Sequence, residues 1–142
     1  MGVWDINPYG NDTAAEFAAS LDRAGAHERE SIVREALERA AGCAEHLEED
    51  DGERAVAAAA LLVAQLPGGE PVNTVHGPAG PLPVFPAGLR PLAIAALDRV
   101  TAGRSELAER WSDQADGPRW QQEIKFLRDV LGSVPPQTPT GT

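Results

Sequence analysis

Apolar side chains recur at three- and four-residue spacing through most of the chain, the period of a helix that buries one face. Ala14, Phe17, Ala18, Leu21 and Ala24 share such a face and predict a first helix starting near Asp12 or Thr13. Thr13 and Glu16 stand at capping-box spacing, and Gly25 is placed to stop the helix. A second helix is predicted from about Glu28 to Ala41, with Ile32, Val33, Ala36, Leu37 and Ala40 inward and Gly42 as its C-terminal stop. On its polar side Glu30–Arg34 and Glu35–Arg39 have the i,i+4 spacing of ion pairs.

The third segment breaks the pattern. From Ala55 to Ala64 the chain is apolar nearly all round, so this helix, about Gly52 to Leu66, belongs in the middle of the fold. Asp50 and Glu53 are spaced to cap it, and Pro67-Gly68-Gly69 ends it. Residues 67–91 then hold seven prolines and five glycines, which predicts a long extended loop packed on the surface through Val72, Val75, Leu82, Val84 and Phe85. Pro91 suits the first turn of a fourth helix with Leu89, Leu92, Ala93, Ala96, Leu97 and Val100 inward. A fifth helix, about Ser105 to Gln114, takes Ser105 as its cap. A sixth opens at Asp116-Gly117-Pro118 and turns Trp120, Ile124, Leu127 and Leu131 inward. Residues 134–142 have the composition of a disordered tail.

These elements predict an all-α fold: one compact domain, residues 1–133, with about six helices around an alanine-rich central one. Composition agrees, because alanine supplies much of the apolar content while aromatics are only 5%, and strands favour β-branched and aromatic side chains. The phrase Ala36-Leu37-Glu38-Arg39 is echoed by Ala96-Leu97-Asp98-Arg99, but a single echo makes no repeat array.

Charge narrows the functional classes. The formal net charge is −10, and residues 1–66 carry 14 acidic and five basic side chains against eight and seven in the remainder. An acidic chain repels phosphate backbones and anionic lipid, so neither nucleic acid nor a membrane surface is an expected partner, whereas a basic protein is electrostatically permitted. Acidity also serves plain solubility. The lone Cys43 excludes an internal disulfide and suits a reducing compartment. The absence of a secretory pattern after Met1 and of an apolar run of about 20 residues leads to the expectation of a cytoplasmic protein.

Six of the nine residues from Glu45 to Glu53 are acidic, and Glu48, Glu49, Asp50 and Asp51 are the candidate docking surface. An EF-hand register with Gly52 as its glycine puts Leu47 and Ala58 at ligand positions, which excludes that calcium motif. Helix capping by these acids is the competing reading. Cys43 and His46 lie three residues apart, but two ligands do not close a zinc site, so no metal is expected. Pairing Cys43 with His76 as nucleophile and base is opposed by the acidic neighbours, which disfavour a thiolate. No glycine-flanked serine, phosphate-cradling loop or dinucleotide fingerprint is present, and no cofactor is expected. Trp111 and Trp120 occupy inward stripe positions and read as core; exposed in a groove, either would anchor a partner.

The residues before the first helix are unusually dense in aromatic and turn-forming groups. Asn7-Pro8-Tyr9-Gly10 reads as a β-turn, and Trp4 and Tyr9 are placed to clamp residues 1–12 on the helical body. Asn11 and Asp12 are caps on one reading; on another, Tyr9, Asn11 and Asp12 form a polar cluster that binds a small polar group or peptide end.

Trp4, Asn11, Asp12, Ala14, Phe17 and Leu21 fit a pattern Trp-Gly-x-x-x-Phe-x-Asn-Asp-x-Ala followed by an aromatic and a leucine. Here Asp5 replaces the glycine and Tyr9 the phenylalanine. With these residues the chain resembles a bacterial domain-of-unknown-function family, number four-two-five-nine, common in actinobacteria. The resemblance continues through the alanine-rich helix into Pro67-Gly68-Gly69-Glu70 and the Leu107, Trp111 and Trp120 region. It implies a small stand-alone cytoplasmic domain and transfers no catalytic residue. The function expected is a non-enzymatic, regulatory or immunity-like interaction domain that docks a basic partner. The alternative is a small-molecule binder or hydrolase, its pocket lined by Tyr9, Asn11, Asp12 and His76 between the amino terminus and the 67–91 loop.

Overall fold

The structure is a computed structural model that describes residues 12–64, 85–86, 88–115 and 117–133. Within them the chain forms α1 (Asp12–Arg23), α2 (Ala26–Ala41), α3 (Glu49–Ala64), α4 (Leu89–Thr101), α5 (Glu106–Ser112) and α6 (Gly117–Ser133). The described residues contain no strand beyond an isolated parallel bridge between Leu47 and Ser105. The fold is all-α, as its apolar periodicity requires. The expected N-terminal clamp with Trp4, Tyr9 and Asn11, most of the proline-rich loop with His76, and the 134–142 tail lie outside the described residues.

Eleven of the sixteen residues of α3 are buried, and α3 packs against each of the other five helices. Its alanines make that possible, because methyl side chains let neighbouring helices come close on every side. Leu21 of α1, Val33 and Leu37 of α2, Leu97 and Val100 of α4, and Ile124 and Leu127 of α6 share one core with Leu61 and Val63 of α3. Ile32 and Leu92, expected inside, pack against this core but stay partly exposed. Phe85 is buried, so the end of the proline-rich segment does reach the core.

Several helix limits differ from the sequence expectation. Gly25 does not end α1 by a left-handed turn; it is the N-cap of α2, with extended backbone, and the Glu28 carboxylate accepts its N–H at 3.0 Å. α1 ends instead on Arg29, whose Nε donates to the carbonyls of Leu21 and Ala24 at 2.8 and 3.0 Å, satisfying acceptors a terminus leaves free. Glu30–Arg34 forms at 2.8 Å, whereas no Glu35–Arg39 ion pair forms: Arg39 faces Asp51. α4 begins at Leu89, which shortens the expected loop. Ser105 caps α5 as expected, accepting from the Ala108 N–H at 3.2 Å.

Trp111 and Trp120 are both buried and stack with centroids 5.8 Å apart and planes 7° apart, joining α5 to α6. The turn between them requires glycine at 117, since a Cβ there would sit 2.3 Å from the Trp111 carbonyl oxygen. Both tryptophans are therefore core and not exposed anchors.

The α2–α3 connection is laced to the α4–α5 turn. The Leu47 N–H donates to the Arg104 carbonyl at 2.7 Å, and the Glu106 N–H donates to the Leu47 carbonyl at 2.9 Å. Arg104 holds φ at 64°, a left-handed conformation that aims its carbonyl at Leu47. Arg99 completes the junction: its guanidinium donates to the carbonyls of Cys43 (2.9 Å), Gly103 (3.1 Å), Arg104 (3.3 Å) and Glu45. Replacing Arg99 by alanine leaves four acceptors competing for water and is expected to destabilise the fold by about 2 kcal/mol, read by urea unfolding. A loss under about 0.5 kcal/mol would show that the junction holds without it.

Candidate functional site: the carboxylate corner of the central helix

Asp50 does not cap α3. The helix begins at Glu49, whose N–H donates to the Glu106 carboxylate of α5 at 2.7 Å, and the acids the sequence placed before the helix occupy its first turn. Their negative charge is favourable at this end of the helix dipole. Successive helical residues point about 100° apart, so a run of acids there cannot form one face. Glu49 turns to α5 and pairs with Arg110 at 3.0 Å. Asp50 turns to α1 and accepts from the Thr13 hydroxyl at 3.2 Å. Asp51 turns to α2 and meets Arg54 at 3.2 Å and Arg39 at 4.0 Å. Of the four acids proposed as a docking surface, Glu49 and Asp51 are half-buried in these contacts, while Glu48 and Asp50 are exposed. Asp12 opens α1 close by in sequence to Thr13. The Thr13–Glu16 capping box is not formed: Thr13 lies inside α1 with its hydroxyl on α3, and Glu16 is exposed.

The residue at the centre of this corner is one the acidic run concealed. Glu53 is buried, one turn after Glu49 on α3. Burial pushes its carboxyl up to about 7; the carboxylates of Glu49 and Asp50 push the same way, against the Thr13 hydrogen bond and the Arg110 guanidinium. Glu49 is also raised, chiefly by burial, with Arg110 opposing. Thr13 has one hydroxyl proton and two carboxyl groups in reach, Asp50 and Glu53. A protonated Glu53 donates to the Thr13 oxygen and frees that proton for Asp50; an ionised one leaves two carboxylates contesting it. A carboxyl raised to about 7 thus sits where α1 rests on α3. The signal in the sequence was position: Glu53 stands two residues before the run that is apolar nearly all round from Ala55.

Cys43 is partly buried at the end of α2, its thiol donating to the Glu45 carbonyl at 3.3 Å, while His46 is exposed. Among the described residues no three histidine, cysteine, aspartate or glutamate side chains gather as metal ligands would. No helix there is long and apolar enough to cross a membrane.

Comparison with known proteins bears on the whole domain and not on any one of these groups. No curated protein and no solved structure matches the chain significantly. Residues 2–123 match the family model described as Domain of unknown function (DUF4259). That match covers most of the chain, from before α1 into α6, and the chain belongs to the DUF4259 family.

Proposed function

We propose that this is a non-enzymatic interaction domain of the cytoplasm that docks a basic protein partner. What supports the reading is the set of acids left without structural work. Glu38 lies near the C-terminal end of α2, where the helix dipole disfavours an anion, and Glu45 and Glu48 stand on the connection that follows. All three are exposed, and none of their carboxylates is paired among the described residues. The connection that carries two of them is pinned by Arg99 and by the Leu47–Ser105 bridge, so the charges are presented on a fixed backbone. Preorganisation of this kind lowers the entropy cost of binding, and the acidic field speeds encounter with a cationic face.

The test is affinity purification from the native host with wild-type domain and with Glu38→Lys/Glu45→Lys/Glu48→Lys. A stoichiometric basic protein is expected with wild type, released by raising salt and about tenfold depleted with the triple variant. Recovery of the domain alone, or equal recovery by both forms, refutes the reading.

A further inference from the structure

A second region of the molecule has the build of a ligand site and shares no residue with the acidic surface just described. α1 packs on α3 and barely touches α2, which leaves a cleft of about 650 Å³ between the two helices. One wall is the α1 row Glu16, Ser20 and Arg23; the other is the α2 row Ile32, Glu35 and Arg39. Their three- and four-residue spacings put each row on one helix face. Phe17 and Ala36 form an apolar floor, and Asp51 with Arg54 closes one end. The volume lies in the range that holds small organic ligands, too small for a folded partner.

The charges of this cleft are the informative part. Three of the five basic residues in the first 66 positions, Arg23, Arg39 and Arg54, line it, in the most acidic part of the chain. Arg54 is held by Asp51 at 3.2 Å, while Arg39 reaches the same carboxylate oxygen only at 4.0 Å and stays 65% exposed. Glu16, Arg23 and Glu35 line the same space and form no ion pair with one another. Glu16, Arg23 and Glu35, with opposite charges that do not pair across the cleft, and Arg39, held only at 4.0 Å, stand over an apolar floor and match a molecule that carries both charges around an apolar body. We propose that the α1–α2 cleft binds the zwitterionic backbone of an apolar amino acid or short apolar peptide. Its carboxylate pairs with Arg39 or Arg23, its ammonium with Glu16 or Glu35, and its side chains rest on Phe17, Ile32 and Ala36. Guanidinium is suited to the carboxylate end because it offers two parallel donors.

The probes are the peptide Ala-Leu-Leu-Ala with free ends, the same peptide acetylated and amidated, and free leucine, each titrated to about 10 mM into isotope-labelled domain and followed by amide NMR shifts. The free-ended peptide is expected to shift residues of Glu16–Arg23 and Ile32–Arg39, and the capped peptide to bind about tenfold more weakly or not at all. Arg39→Ala and Glu16→Ala, both on exposed side chains, are each expected to weaken the free peptide about fivefold. Leucine binding as tightly as the peptide assigns the site to free amino acids; much weaker leucine binding assigns it to peptides. Equal binding of capped and free forms, shifts confined to residues outside the cleft, or no shift with either free-ended probe overturns the proposal. Because Glu38, Glu45 and Glu48 do not line the cleft, their charge reversal is expected to leave the titration unchanged, which separates this outcome from that of partner docking.

Discussion

Glu53→Gln is expected to change stability little at about pH 5 and to raise it by about 3 kcal/mol at about pH 8. Folded, the Glu53 carboxyl keeps its proton up to about pH 7, whereas in the unfolded chain it releases it near the ordinary value of 4.5. Between those values the folded state binds more protons than the unfolded state, so stability falls as pH rises. The contribution is complete below about pH 4.5 and is lost as pH climbs through 7. The groups that face Glu53 set this behaviour: Glu49 and Asp50 beside it on α3, Thr13 from α1 and Arg110 from α5. Glutamine reproduces the protonated form, since its amide donates to the Thr13 oxygen and leaves the hydroxyl proton for Asp50. Urea unfolding of both proteins across this range provides the measurement. Parallel pH profiles would mean that Glu53 is ionised throughout and that the corner holds no proton.

The other large effect is expected at the centre of the fold. Ala58 is fully buried on α3, and Ala58→Leu puts an isobutyl group where a methyl fits. Neighbouring helices must part or the new side chain must leave its preferred rotamer, at a cost of about 3 kcal/mol. Ala15→Leu on the exposed side of α1 provides the control, with a change of at most about 0.5 kcal/mol. Thermal unfolding of the two variants distinguishes them, and equal midpoints would contradict close packing around α3.

How much of this was legible in the sequence differs from element to element. The helical stripes of α4 and α6 and the central place of α3 were legible because each depends on a local pattern: apolar spacing, or its absence round a whole helix. The Ser105 cap and the burial of both tryptophans were legible for the same reason; their stacking on each other was not. The start of α3 was not, because its cap is the Glu106 carboxylate, 57 residues away in sequence. The Thr13–Glu16 box failed likewise, since a tertiary contact with Asp50 outbid a local one. The acids of the run spread around α3 and not along one face, because successive helical residues point about 100° apart, and which neighbour each one meets is set by the tertiary fold. The α1–α2 cleft depends on how far two helices stand apart, which no local pattern encodes.

The junction between Leu47 and Ser105 also has a bearing on folding kinetics. It can form only when the chain closes a loop that contains all of α3 and α4, an ordering cost that local helix contacts do not carry. That cost leads to the expectation that the junction forms late on the way to the native state, where a contact slows unfolding more than it speeds folding. The stability lost in Arg99→Ala is accordingly expected to emerge as faster unfolding with an almost unchanged refolding rate. For this domain, the pinned connection acts as a latch on the lifetime of the native state.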